Sequence, residues 1–168
     1  MRKRHFIYEF VAELEDTFRR LSIRPVWIGG IAVGLITEPV FTYDMDILVD
    51  REDFLTLKRK GRRFGVVYKA AGSFRYKGEV LECIVEGEKL DDYVAPSPDA
   101  IRGEDFEPTI EGLFLLKLSR LYGRDRAHLA MLYDFEKPNE VILRNLIETY
   151  GDEKLWKRYL RLRKFLQT

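Results

Sequence analysis

Residues 27–49, WIGGIAVGLITEPVFTYDMDILV, make demands that few folds satisfy together. A short apolar run ends in the adjacent pair Gly29-Gly30. A second apolar run, Ile47-Leu48-Val49, is led in by Asp44-Met45-Asp46. A strand alternates its side chains with period two. A strand over 44–49 therefore turns Asp44 and Asp46 to one face and buries Met45, Ile47 and Val49 on the other. Carboxylates held side by side repel, and one takes up a proton unless a cation intervenes. Hard oxygen donors on a rigid strand suit Mg²⁺ or Mn²⁺; magnesium commonly takes one or two protein carboxylates and completes its shell with substrate phosphates. A glycine pair lets backbone approach a phosphate closely. A helix beginning there adds free N–H groups and a positive end. Gly29 and Gly30 thus read as a phosphate cradle, and Gly30 is expected to lie against the phosphates, so that a Cβ there would meet ligand and not core. Thr42 is placed either to bond a phosphate oxygen or to cap a turn.

The remaining pattern predicts an α/β (α+β) fold: a mixed β-sheet flanked by helices, followed by a C-terminal helical part. Phe6, Phe10, Leu14, Phe18 and Leu21 recur at helical spacing over 5–21. Strands are expected at 25–28, 44–49, 65–69, 73–76 and 79–85, with a tight turn at Lys77-Gly78. A short helix is expected over 30–36, and another from an Asp50 cap to about Arg63. Residues 87–108, rich in Gly, Asp and Pro, make a long connection, and helices follow at 110–122, 125–135, 139–149 and 152–166. The expected division is a core with its N-terminal helix over 1–95, then linker and helical bundle over 96–168.

Composition narrows the class without naming a partner. The chain has 168 residues, 46% hydrophobic and 34% charged, with a net charge of +1, so bulk charge does not announce a nucleic-acid binder. Cys83 alone makes neither an internal disulfide nor a zinc site, which fits a reducing, cytoplasmic compartment. MRKRHFIYEF has no uninterrupted apolar stretch of secretory type, and no run approaches the ~20 apolar residues that span a bilayer, so no membrane role is expected.

Gly29-Gly30 followed by Thr42-x-Asp44-x-Asp46 and an apolar run resembles the signature of the DNA polymerase β-like nucleotidyltransferase superfamily. The GG form with TxDxD is similar to abortive-infection-type nucleotidyltransferase toxins and their small relatives. The Arg-Asp pair of CCA-adding enzymes is missing, and the Gly-Ser of minimal antitoxin nucleotidyltransferases is not matched. Leu116-Lys117 and Arg124-Asp125-Arg126-Ala127-His128-Leu129 resemble the helical K…(K/R)DxxDL segment found after the core in the toxin-like branch. His128 stands where that pattern has its second acid.

The resemblance implies NTP as substrate, divalent metal as cofactor, and transfer of a nucleoside monophosphate to an acceptor hydroxyl with release of pyrophosphate. It makes Asp44 and Asp46 metal ligands. It also implies a third acid on a neighbouring strand, where Glu82 stands in place of an aspartate, with Glu86 as substitute. A transferring phosphoryl group needs a protein cation. Lys117 interrupts an apolar helix face and matches the lysine of the resembling segment; Arg75 and Arg124 are lesser candidates. The acceptor implied is RNA such as a tRNA 3′ end, or a protein hydroxyl, and a cognate toxin or antitoxin protein is an expected partner. A regulatory or antitoxin-like module that binds nucleotide without turnover is the alternative. His128 is expected on a helix surface, and Phe114, Tyr122, Tyr133 and Phe135 in the core. Lys154, Lys157, Arg161 and Lys164 form a basic stripe beside Arg158, and Lys58, Arg59, Lys60, Arg62 and Arg63 a second cluster. Either is suited to an RNA backbone or simply to water.

Overall fold

The computed structural model describes residues 3–121 and 123–168. The expectations for Tyr122 and for the Phe6 side chain lie outside the described residues. Helix α1 (Lys3–Arg20) leads to strand β1 (Val26–Ile28), helix α2 (Gly29–Ile36) and strand β2 (Met45–Val49). Helix α3 (Arg51–Lys60) and a 3₁₀ turn at Gly61–Phe64 precede strands β3 (Val66–Ala70), β4 (Ser73–Tyr76) and β5 (Glu79–Val85). Helices α4 (Ile110–Lys117), α5 (Arg124–Phe135), α6 (Glu140–Tyr150) and α7 (Glu153–Leu166) complete the chain.

The five strands form one mixed sheet in the order β1-β2-β5-β4-β3. β1 is antiparallel to β2, β2 is parallel to β5, and β5, β4 and β3 make an antiparallel meander. A parallel neighbour needs a crossover. Here α3 and the β3–β4 hairpin fill it, bringing β5 back beside β2. This arrangement is the mixed β-sheet flanked by helices expected from the sequence.

Alternation decides what each sheet face meets. Met45, Ile47, Val49, Leu81, Cys83, Phe74 and Trp27 join the main core with α1 and with residues of every C-terminal helix, among them Leu113, Leu129, Leu143 and Tyr159. That one cluster runs from Ile7 to Leu162, across residue 95. On the other face Val26, Ile28 and Leu48 pack with Ala95 and Ile101, with Ile84 and Leu116 alongside. This second cluster is small. Asp46 and Glu82 stand one alternation step from Leu48 and Ile84, on the same face, where the cover ends.

Some boundaries differ from expectation for local reasons. β2 begins at Met45, so Asp44 lies just before the strand. α4 stops at Lys117, five residues short of the expected end, and the chain turns at Leu118 before α5. Asp50 does cap α3, accepting from the Asp53 N–H at 2.7 Å. Phe114 and Tyr133 are buried, but Phe135 is 59% exposed at the last position of α5, where the helix leaves the core. Lys154, Lys157, Arg161 and Lys164 are exposed along α7. Arg158 instead turns inward, donating to Asp92 at 2.9 Å and to the Leu118 and Ser119 carbonyls at 3.1 Å.

Candidate active site

A cleft of about 540 Å³ opens on the second sheet face. Its floor carries Ile28, Gly29, Asp46 and Glu82; Ala71, Gly72 and Ser73 bound one side. The stretch from Glu88 to Asp91 with Tyr93 forms a second wall, and Lys117, Ser119, Arg120 and Asp125 form the third.

The parallel register sets Asp46 directly beside Glu82, one strand across. Neighbouring residues of paired strands share a face, so the two carboxyls crowd one another. The Asp46 carboxyl is pushed up to about 7, first by burial, then by the Glu82 and Asp44 charges; Lys117 and Arg120 pull the other way. A carboxylate that holds a proton this strongly is short of positive charge. Asp44 acts on Asp46 through its charge but is exposed and does not line the cleft. Its carbonyl accepts from the Thr42 hydroxyl at 3.0 Å, so Thr42 braces the turn into β2.

Gly29, the first residue of α2, follows β1 at a φ of +65°, a left-handed conformation that L side chains rarely adopt. A Cβ there would stand 2.6 Å from Asp46 Oδ2. The glycine is required both by the turn and by the carboxylate beside it. Gly30 departs from expectation. A Cβ on Gly30 would lie 3.1 Å from Thr42 Cβ and 3.8 Å from His128 Cε1, so protein already occupies that side. The glycine pair and the TxDxD stretch are thus interlocked through Gly29–Asp46 and Gly30–Thr42. Tyr8 of α1 pins the intervening loop: its hydroxyl donates to the Val40 carbonyl and accepts from the Val40 N–H, each at 3.0 Å.

Lys117 closes α4 and is only 6% exposed. Its Nζ donates to Asp125 Oδ1 at 3.0 Å and lies 3.2 Å from His128 Nδ1. His128 is 8% exposed, not the helix-surface residue expected. Burial and the Lys117 charge push its pKa down to about 4. A pattern that assigns an acid to this place gives no hint that an imidazole would fold inward. Glu86 follows the end of β5, its N–H bonded to the Val49 carbonyl. Four residues of strand separate it from Glu82, roughly 13 Å at ~3.3 Å per residue, and it does not line the cleft. Arg75 and Arg124 are exposed and also lie off the cleft.

Sequence reasoning missed Arg120, Ser119 and Tyr93. Arg120 follows Lys117 by one helical turn's spacing and was detectable on that ground; its charge acts on both Asp46 and Tyr93. Tyr93, its hydroxyl pushed up to about 12 by burial, lies in the long connection, where no periodic signal exists.

The donor chemistry fits a hard divalent cation. Asp46 and Glu82 are paired oxygen donors whose repulsion a cation would relieve, and Mg²⁺ needs only one or two protein carboxylates beside phosphates. Among the described residues no group of three or more His, Cys, Asp or Glu side chains is gathered tightly enough to hold a metal. Two carboxylates are adjacent through the sheet, and Asp44 stands outside them.

No protein-family model and no curated protein matches the chain. In fold the chain is similar to the antibiotic-resistance factor ANT(2'')-Ia, described in solution with substrate-regulated conformation dynamics. That likeness has a TM-score of 0.65 at 11% identity, covering 96% of this chain and 97% of the other. A crystal structure of ANT(2'')-Ia in complex with adenylyl-2''-tobramycin gives a TM-score of 0.57 at 13% identity, with 98% of each chain covered. These neighbours are nucleotidyltransferases, and at such identities the likeness is one of fold.

Proposed function

We propose that the chain is a metal-dependent nucleotidyltransferase that moves a nucleoside monophosphate from an NTP to an acceptor hydroxyl and releases pyrophosphate. The observation that carries this reading is the pairing of Asp46 with Glu82 beneath the Gly29 turn, in a cleft shared with Lys117. Gly29 and Gly30 present backbone at the start of α2, where N–H groups favour a phosphate. Lys117 supplies a fixed positive charge for the non-bridging oxygens. Asp46 and Glu82, with Asp44 drawn in, would hold Mg²⁺ or Mn²⁺, which when bound neutralises phosphate charge and acidifies the acceptor hydroxyl. The acceptor oxygen bonds to the α-phosphorus as the bond to the bridging oxygen breaks. Pyrophosphate leaves, and the hydroxyl proton passes to a cleft carboxylate. Residues 1–95 bring the carboxylates and glycines, and residues 96–168 bring the cation.

A specific observation bears on the acceptor. Asp125 compensates Lys117, and the cleft then exposes Glu88 and Asp91 beside the floor acids, against Lys89 and Arg120. That balance disfavours a polyanion at the cleft itself and supports a small, cationic, hydroxyl-bearing acceptor. The adenylyl-2''-tobramycin bound by the fold neighbour is a product of that kind. The exposed stripe on α7 is what supports the RNA reading, with a cognate toxin or antitoxin as partner. The test offers each labelled NTP with Mg²⁺ and, separately, tobramycin, total tRNA or cell protein. Label on tobramycin supports the small acceptor. Label of tRNA size supports RNA, and a labelled protein band supports protein nucleotidylation. NTP binding with no pyrophosphate release under any condition would leave the regulatory module in its place.

A further inference from the structure

The His128 ring occupies a place that the motif pattern gives to an acid, yet it is buried, and its Nδ1 faces a lysine ammonium at 3.2 Å. An ammonium has three donors and no acceptor. The contact is therefore a hydrogen bond only if Nδ1 carries a lone pair, which puts the ring proton on Nε2. The ring also reaches the glycine turn, its Cε1 lying 3.8 Å from where a Gly30 Cβ would stand. One imidazole thus contacts the cation and stands beside the start of α2.

We propose that His128 is a positioning residue: its neutral ring accepts from Lys117 at Nδ1 and, with Asp125, fixes that ammonium in the cleft for an anionic ligand. The substitution has an electrostatic logic. Lys117 with Asp125 sums to zero charge. A second carboxylate on the ammonium would add a negative charge beside it and weaken its pull on a phosphate, whereas an imidazole holds the ammonium without adding charge. The charged groups around the ring are Lys117 from α4 and Asp125 and Arg124 from α5; α2, GGIAVGLI, contributes none. Burial and the adjacent cations keep the ring neutral through the physiological range.

This inference rests on the nucleotidyltransferase reading for its ligand but not for its geometry, and two measurements separate them. Ring ¹³C and ¹⁵N NMR on the ligand-free chain is expected to show His128 as the Nε2–H tautomer from pH 8 down to about 5. A ring protonated at Nδ1 at pH 7 would overturn the positioning role whatever the chain binds. Titration with MgATP then compares variants. His128→Leu is expected to weaken binding about tenfold or more, the loss of one hydrogen bond to a charged group. His128→Asn, which keeps an uncharged acceptor, is expected to recover most of it, and His128→Asp to recover less. Equal binding by the Leu and Asn variants would refute the proposal. Should the Leu variant not fold, the Asn–Asp pair decides: tighter binding by Asp overturns the charge argument. A wild-type chain that shows the expected tautomer but binds no MgATP would sink the nucleotide reading instead.

Discussion

The two sides of the cleft solve opposite electrostatic problems. On the sheet side, Asp46 and Glu82 are adjacent by register, and Asp46 is forced up to about 7 because burial and like charges meet no sufficient cation. On the helix side, Lys117 is buried more completely but is matched by Asp125 and His128. A buried charge without compensation destabilises, whereas a paired and hydrogen-bonded one is tolerated. The helix side is thus finished by the protein itself. The sheet side is left with a carboxylate that holds a proton up to about 7, and in the proposed reading a cation takes that proton's place. The difference separates what the fold needs from what the chemistry needs, and it can be broken by experiment.

The largest effect is expected on the sheet side. Asp46→Asn should lower turnover by at least ~10²-fold, since metal-centred charge stabilisation is worth several kcal/mol. Yet it should not lower the melting temperature of metal-free protein at pH 8. The sign follows from linkage. Asp46 binds its proton more tightly folded, near 7, than at its ordinary 3.8, so metal-free stability falls as pH rises through that window. The Asn variant should lose that part of the slope, and Mg²⁺ should flatten it in the wild type. A double Asp44/Asp46→Asn variant with unchanged turnover would end the catalytic reading.

Lys117→Met should behave in the reverse sense. It strands the buried His128 ring and the partly exposed Asp125 carboxylate, and a buried group left unsatisfied costs about 1–3 kcal/mol. Denaturant unfolding should show that loss along with weaker NTP binding. Stability equal to wild type would mean that the helix side is no more self-sufficient than the sheet side.

The glycines give a graded test. Gly29→Ala forces a Cβ into the left-handed region, costing roughly 1–2 kcal/mol, and drives it against Asp46 Oδ2. Gly30→Ala is tight only against Thr42, at 3.1 Å, with His128 Cε1 at an ordinary 3.8 Å, and its φ is not left-handed. Thermal unfolding should rank Gly29→Ala below Gly30→Ala; the opposite order would contradict the interlocked geometry.

The smallest change is Glu82→Gln. It removes the largest charge acting on Asp46, so the Asp46 titration in chelator, followed by NMR, should move down toward the ordinary carboxylate range. Turnover should fall more than NTP affinity. An unmoved Asp46 titration would leave burial and the Asp44 charge as its causes.

Much of the scaffold was legible in the chain. Strand and helix positions follow from hydrophobic periodicity and from strong local signals, the Asp50 cap and the Lys77-Gly78 turn. The glycine pair and the DxD lead into β2 were readable as one unit because they are close in sequence. Local rules place residues along an element, but they do not fix which element lies beside it.

That second question belonged to tertiary structure. Glu82 neighbours Asp46 only because β5 returns parallel to β2, a pairing made across a long crossover. His128 is buried because α5 packs against α2 and α4, which turned a presumed surface residue into a ligand of the Lys117 ammonium. Asp44 left the strand, and Glu86 left the site, by one or a few residues of register that alternation alone does not anchor. Arg120 joined the cleft from the turn beyond the end of α4, and Tyr93 from a segment without periodicity. Sequence determined which residue types the chain carries and on which elements, since that information is local. Packing decided which charges meet, because their energy depends on separation and burial, and both are properties of the assembled fold.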